Sequence, residues 1–332
     1  MNKIFPSTYS TLSEKAIALL ITTNYGLSKV NCKFILRGVG DTYMIDSAEG
    51  KFIFRVYRSS HRNLLQVKAE TELLFALKKA NVSVSYPITD FKGDAIQIIN
   101  AIEGERCAVL FSFAKGKSVA LLNENQLQNL GAEMAKFHNV SSAIALCDNR
   151  WDFNLQTTLF NPLQLLENAF AENAEDYVWL QNAAKTVEQK LSHFNTEAFS
   201  KGYCHFDFLP KNFHFDGEQV TFFDFDFFGY GWLVSDIMTF WQHLCLDVHF
   251  GRMTQQAADD AYNIFISSYK KIRNVSEEEL SAIPYLSLGF WLFYMGFHTT
   301  HDQFYPYVEP SHLKLRIALV KKLMEKYWDK ES

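Results

Sequence analysis

The period of apolar positions changes several times along the chain. Thr11 and Glu14 carry a capping-box pattern ahead of Ala16, Ile17, Leu19 and Leu20, and Gly26 supplies a stop, so a helix is expected to open the fold. Residues 31–36, 41–45 and 51–57 are then rich in β-branched and aromatic types. Turn signals at Gly38, Gly40 and Glu49-Gly50 part them, which predicts an antiparallel meander. Leu65, Ala69, Leu73, Leu74 and Leu77 restore a helical period over 64–80. Strands at 95–101 and 106–113 would complete a five-stranded sheet crossed by one helix, giving a first domain of residues 1–113 with its exit at 114–117.

The second domain, 114–332, reads as mainly helical, with helices expected at 126–137, 161–170, 177–194, 257–271, 277–299 and 311–328. Residues 203–231 interrupt this pattern. Short β-prone segments at 203–205, 213–215 and 220–223 alternate there with Pro210 and Asp216-Gly217. The predicted class is α+β: a small antiparallel-sheet lobe followed by a larger helical lobe.

With 332 residues, of which 48% are hydrophobic and 21% charged, the chain can bury cores in two domains. A formal net charge of −5 provides no broad basic field, which argues against nucleic acid as the main partner. The five cysteines are scattered without a Cys-x-x-Cys pair, as expected of a reducing, cytoplasmic setting. Residues 1–10 lack the build of a signal peptide. No apolar run reaches the roughly 20 residues of a membrane span, so no membrane partner is expected.

The chemistry concentrates in the interrupting segment. His205-Phe206-Asp207-Phe208-Leu209-Pro210-Lys211-Asn212 has the spacing H-x-D-x-x-x-x-N, in which the aspartate accepts a hydroxyl proton and the asparagine binds a metal. Asp224-Phe225-Asp226 follows the apolar stretch 220–223, where a carboxylate would meet the metal that bridges nucleotide phosphates. The catalytic set is therefore His205, Asp207, Asn212 and Asp224, with Asn212, Asp224 and Asp226 as oxygen ligands. A lone histidine such as His205 is more often a packed core residue than a catalytic one.

Residues 203–236 resemble the aminoglycoside phosphotransferase and choline kinase superfamily, which also includes homoserine and fructosamine kinases. The resemblance extends to the trailing Gly229-Tyr230-Gly231 and to Asp236 opening a helix. It implies a two-lobed, protein-kinase-like fold and transfer of the γ-phosphate of ATP, with Mg2+, to the hydroxyl of a small molecule. Asp236 would then buttress the catalytic loop. Arg55 occupies the strand position that usually holds a phosphate-binding lysine, with Lys51 and Arg58 as substitutes. Glu70 is its expected ion-pair partner and Glu72 the rival. Gly38 and Gly40 would bring backbone amides to the phosphates, and 109–113, with Phe111 and Phe113, matches the segment that binds adenine. Magnesium-ATP is expected between 30–113 and 200–231.

The acceptor is expected to be aminoglycoside-, amino-alcohol- or homoserine-like. Trp151, Asp152, Trp241, Trp291, Tyr294 and His298 are candidates for a ring-and-carboxylate pocket suited to an amine, while Phe290, Phe293 and Phe297 have core spacing. Two alternatives stand beside this reading: a protein Ser/Thr kinase of the same superfamily, and a catalytically weak nucleotide-binding pseudokinase, to which the arginine at 55 points.

Overall fold

The computed structural model describes residues 5–328; the ends of the two expected domains, 1–4 and 329–332, lie outside the described residues. The chain folds as two compact units. One comprises Met1–Lys117 with Ala145–Asp148 and Thr221–Phe223; the other comprises Ser118–Ile144, Asn149–Val220 and Asp224–Ser332.

In the first unit, α1 (Glu14–Tyr25) precedes β1 (Asn31–Arg37), β2 (Asp41–Ser47) and β3 (Gly50–Val56). Then come α2 (Leu64–Lys79), β4 (Pro87–Ile88), β5 (Ile96–Ala101) and β6 (Gly104–Ser112). All strand pairs are antiparallel, in the order β1-β2-β3-β6-β4 with β5 also on β6. The sheet has six strands rather than the expected five, because β4 is too short to show a period. Alternation sends Tyr43 and Ile45 of β2 and Phe54 and Val56 of β3 to one face, where Ile17, Ile21 and Tyr25 of α1 cover them. The capping box expected at Thr11 and Glu14 does not form. The helix starts after Ser13 without a side-chain cap, Glu14 instead accepts the Phe34 amide at 2.7 Å, and Thr11 accepts from Arg37. Gly26 ends α1 in the left-handed region, as expected.

The second unit carries α3 (Glu124–Ser141), α4 (Asn161–Leu166), α5 (Ala174–Leu191), β7 (Lys201–Cys204), β8 (Phe213–Asp216) and β10 (Gly229–Trp232), and β9 (Gln219–Phe222), which pairs with β8, begins in the second unit and ends in the first. Four further helices follow: α6 (Val234–His249), α7 (Gln255–Lys270), α8 (Glu277–His298) and α9 (Pro310–Tyr327). The helix expected over 161–170 is broken into a π turn at 156–160, α4 and a 3₁₀ turn at 168–170. Pro162 has no N–H to give to the helix, and the Asn161 amide reaches back five residues to Gln156. α8 is long and apolar enough to cross a bilayer, contrary to the sequence expectation, yet 61% of its most apolar window is buried inside the protein. Phe290, Phe293 and Phe297 on it are buried, in line with their spacing.

Candidate active site

β7 leads directly into the loop that carries the H-x-D-x-x-x-x-N pattern. β7 pairs antiparallel with β10, setting Cys204 opposite Gly229 and Gly202 opposite Gly231. A Cβ on Gly229 would lie 2.7 Å from the Trp151 carbonyl oxygen and one on Gly231 2.9 Å from that of Phe153, so this Gly-Tyr-Gly run is required by close backbone approach. Past β7 the chain turns sharply, with Phe206 at φ 62°.

Asp236, in the first turn of α6 and fully buried, accepts both amides of that turn. Its Oδ2 takes the His205 N–H at 2.8 Å and its Oδ1 the Phe206 N–H at 2.7 Å. His138 of α3 approaches the same Oδ2 through Nε2 at 3.1 Å, and its Nδ1 lies 2.8 Å from the Tyr269 hydroxyl. Burial holds the His138 pKa below its ordinary value against the pull of Asp236. The neutral ring therefore donates from Nε2 to the carboxylate and accepts from Tyr269. His205 itself is buried, its ring 4.5 Å from Phe225 and 6.0 Å from Phe208.

Asp207 is 4% exposed. Asn212 donates its amide nitrogen to the Asp207 carboxylate at 2.7 Å and to its carbonyl at 2.8 Å, so its carbonyl oxygen is not used in holding Asp207. Lys211, i+4 from Asp207, places Nζ 2.8 Å from Oδ2. Desolvation opposes its charge, but the charge and hydrogen bond of Asp207, and Asp224 beyond, raise its pKa above the usual lysine value.

Asp224 and Asp226 occupy different environments. Asp224 adopts φ 63° and is exposed, while Asp226 is buried and its Oδ1 lies 3.4 Å from the Arg150 guanidinium. The same Arg150 nitrogen donates to the carbonyls of Phe225 and Asp226 at 3.2 and 2.9 Å. Among the described residues no group of three or more His, Cys, Asp or Glu side chains gathers as a metal site.

In the first unit, Glu70 is 1% exposed and accepts from the Tyr57 hydroxyl at 2.8 Å, and the Arg55 guanidinium lies 5.6 Å from the Tyr57 ring centroid. The rival Glu72 instead accepts the Cys147 amide at 3.2 Å. Gly40 is explained by packing, since a Cβ there would come 2.7 Å from the Val56 carbonyl oxygen. Neither Gly38 nor Gly40 adopts positive φ. Phe111 is buried in β6 opposite Ile53, and Phe113 follows it with Lys51 Nζ 6.0 Å from its ring.

Of the six candidates for an acceptor pocket, Trp241 and Trp291 line a small crevice with Tyr327 and Trp328, Trp151 packs edge-on against Phe293 at 5.1 Å, and Asp152 accepts from Asn149 at 2.9 Å. Tyr294 and His298 are the two that sense the catalytic loop. The Tyr294 hydroxyl is buried and makes no hydrogen bond of normal geometry. Burial, then the close Asp207 carboxylate, and then Asp224 and Asp226 hold its pKa well above the ordinary phenol range. Lys211, His138, Arg150 and Tyr57 were not singled out from the sequence. Of these only Lys211 carried a signal, its i+4 spacing from Asp207.

An antiparallel sheet with one crossing helix, a helical second unit and an aspartate–asparagine loop define a phosphotransferase of kinase-like fold. The profile of the Phosphotransferase enzyme family matches residues 31–265, and the chain belongs to that family. It is an enzyme that transfers phosphoryl groups to an alcohol. The homoserine kinase of Polaromonas naphthalenivorans is 24% identical over 87% of this chain and 89% of its own. Among solved structures, an amicoumacin kinase in complex with AMP-PNP, Ca2+ and Ami aligns with a TM-score of 0.72 at 18% identity, over 96% of this chain and 94% of that one. A microcompartment-associated aminopropanol kinase gives 0.73 at 19% identity, over 94% and 98%. At these identities the structures establish the fold.

Proposed function

We propose that this enzyme transfers the γ-phosphate of ATP to the hydroxyl of a small molecule of the aminoglycoside, amino-alcohol or homoserine kind. The observation that carries the reading is the locked Asp207–Asn212 pair beside an exposed Asp224. Asp207 acts as the base. It orients the acceptor hydroxyl and takes its proton as the oxygen bonds to phosphorus and the bond to the departing ADP oxygen breaks. Lys211 balances the negative charge gathering beside Asp207.

The residues suit magnesium. The Asn212 carbonyl oxygen and the Asp224 carboxylate are hard donors, and a cation that keeps waters and takes phosphate oxygens needs few protein ligands. Bound there, magnesium would neutralise charge on the phosphates. Asp226, engaged with Arg150, serves instead to fix the turn that presents Asp224. His205 is a positioning residue, packed behind the loop. Arg55, with Glu70 and Tyr57, provides the cationic group for the nucleotide phosphates, and 109–113 supplies adenine contacts.

Asp207→Asn tests the assignment. The amide can still accept from Asn212, so the fold should persist. Turnover should fall roughly 10²–10⁴-fold with ATP affinity little changed. Near-wild-type turnover in this variant would refute the role of Asp207, and an inert wild type across acceptors would favour the pseudokinase.

A further inference from the structure

Beyond the catalytic loop the second unit carries a cluster that the proposed chemistry does not use. His298 follows Tyr294 by one turn of α8, and the Tyr307 ring stacks on it at 5.1 Å and 28°. Arg316 of α9 lies over Tyr307, 5.9 Å from the ring centroid, and Tyr307 meets the His312 ring edge-on at 5.4 Å. Nη1 of Arg316 is 3.3 Å from His298 Nδ1, and Nη2 is 3.5 Å from His312 Nε2.

The cluster carries the positive charge of the Arg316 guanidinium. Among the described residues Arg316 makes no ion pair with a carboxylate, and its polar contacts are the two imidazoles. Burial, followed by the charges of Arg316, His312, Lys211 and His301, pushes the His298 pKa down to about 3, so this ring is a neutral acceptor for the guanidinium. A guanidinium has five N–H donors in a planar fork, and two imidazole contacts leave donors that match a carboxylate. The cluster is electrostatically continuous with the catalytic loop. Lys211, ion-paired with Asp207, also acts on His298 and on Tyr307.

We propose that Arg316, with His312 beside it, seats a carboxylate of the acceptor while the acceptor hydroxyl lies at Asp207. The acceptor is then a small hydroxy acid or hydroxy amino acid, and polycations and simple amino alcohols are poor substrates. This rests on the kinase reading above for the position of the hydroxyl. It replaces the ring-and-carboxylate pocket expected from the sequence with one whose charge is positive.

The test compares L-homoserine, 4-hydroxybutyrate and 3-amino-1-propanol, which share a three-carbon hydroxyalkyl arm but differ in carboxylate and amine, together with an aminoglycoside. Product formation with ATP and calorimetric binding are measured on the full chain, its Arg316→Gln and Arg316→Lys variants, and Asp207→Asn. The two carboxylates should bind and turn over in preference to 3-amino-1-propanol. Arg316→Gln should raise their KM roughly 10–100-fold, Arg316→Lys should recover part of it, and the KM for ATP should stay unchanged in both. Preference for 3-amino-1-propanol or the aminoglycoside, or an equal rise in the KM for ATP, overturns the inference and leaves the kinase reading standing. Carboxylate binding that depends on Arg316 without turnover that depends on Asp207 supports the subsite and overturns the kinase reading. Absence of both overturns both.

Discussion

Replacing Asp236 by asparagine isolates the hydrogen bonds that shape the catalytic loop. In the native chain one carboxylate serves the His205 and Phe206 amides, at 2.8 and 2.7 Å, and His138 at 3.1 Å. His138 can adapt by exchanging tautomers, donating to Tyr269 and accepting from the new amide. The backbone cannot. Whichever way the asparagine is set, its NH2 group faces one of the two amide donors. Stranding a buried N–H costs about 1–3 kcal/mol, and weakening the other bond from charged to neutral about 1 kcal/mol more. A loss of roughly 2–4 kcal/mol in urea unfolding is therefore expected. Because these amides fix the turn before Asp207, and a displacement near 1 Å can cost about 10²-fold, turnover per folded molecule should fall on that order. Unchanged urea midpoint and turnover in Asp236→Asn would refute the buttress.

Two further outcomes follow from the same geometry. Asp224→Ala should abolish turnover with little effect on stability because the residue is exposed, whereas Asp226→Ala strands the buried Arg150 guanidinium and should cost roughly 3–5 kcal/mol in denaturant; a reversed ranking in either assay would undo the division of roles. Burial lowers the pKa of His138 and of His298, the latter to about 3, so the unfolded chain takes up protons near pH 6.5 that the folded chain refuses. Stability should be complete above pH 6.5 and decline as pH falls toward 3, by at most about 1.4 kcal/mol per pH unit per histidine. His298→Gln should flatten the decline measured by urea midpoints at pH 7 and 5, and an unchanged slope would contradict it.

Local patterns made much of the fold legible. Runs rich in β-branched and aromatic residues, parted by turn signals, located β1, β2, β3, β5 and β6, and β4 escaped because two residues are too few to stand out. The break at Pro162 was readable in principle, as a missing N–H, yet the apolar spacing across it dominated the reading. At the site, the spacing from His205 to Asn212 is set within one loop and so survives in sequence. What sequence spacing cannot show is which distant side chain completes each group. Arg150 meets Asp226, His138 meets Asp236, and Tyr57 donates to Glu70 only after folding. The contact of Arg316 on α9 with His298 on α8 is of the same kind, since no spacing along α8 announces it.

Three non-glycine residues near the reacting groups share one unusual conformation: Phe206, Asp224 and Arg150, with φ of 62°, 63° and 59°. Each such residue costs on the order of 1–3 kcal/mol and persists only where its surroundings over-determine it. The restraints are visible. Asp236 clamps the amide of Phe206, and Arg150 grips the carbonyls of Phe225 and Asp226 immediately after Asp224. Both clamps are buried charges, so the energy of their hydrogen bonds is spent in a medium that screens little. The strain aims the two carboxylates: a left-handed residue before Asp207 turns the chain so that its side chain meets Asn212, and the left-handed Asp224 leaves its own carboxylate exposed while Asp226 turns inward. The turns that carry Asp207 and Asp224 are thus each fixed from behind, by Asp236 of α6 and by Arg150.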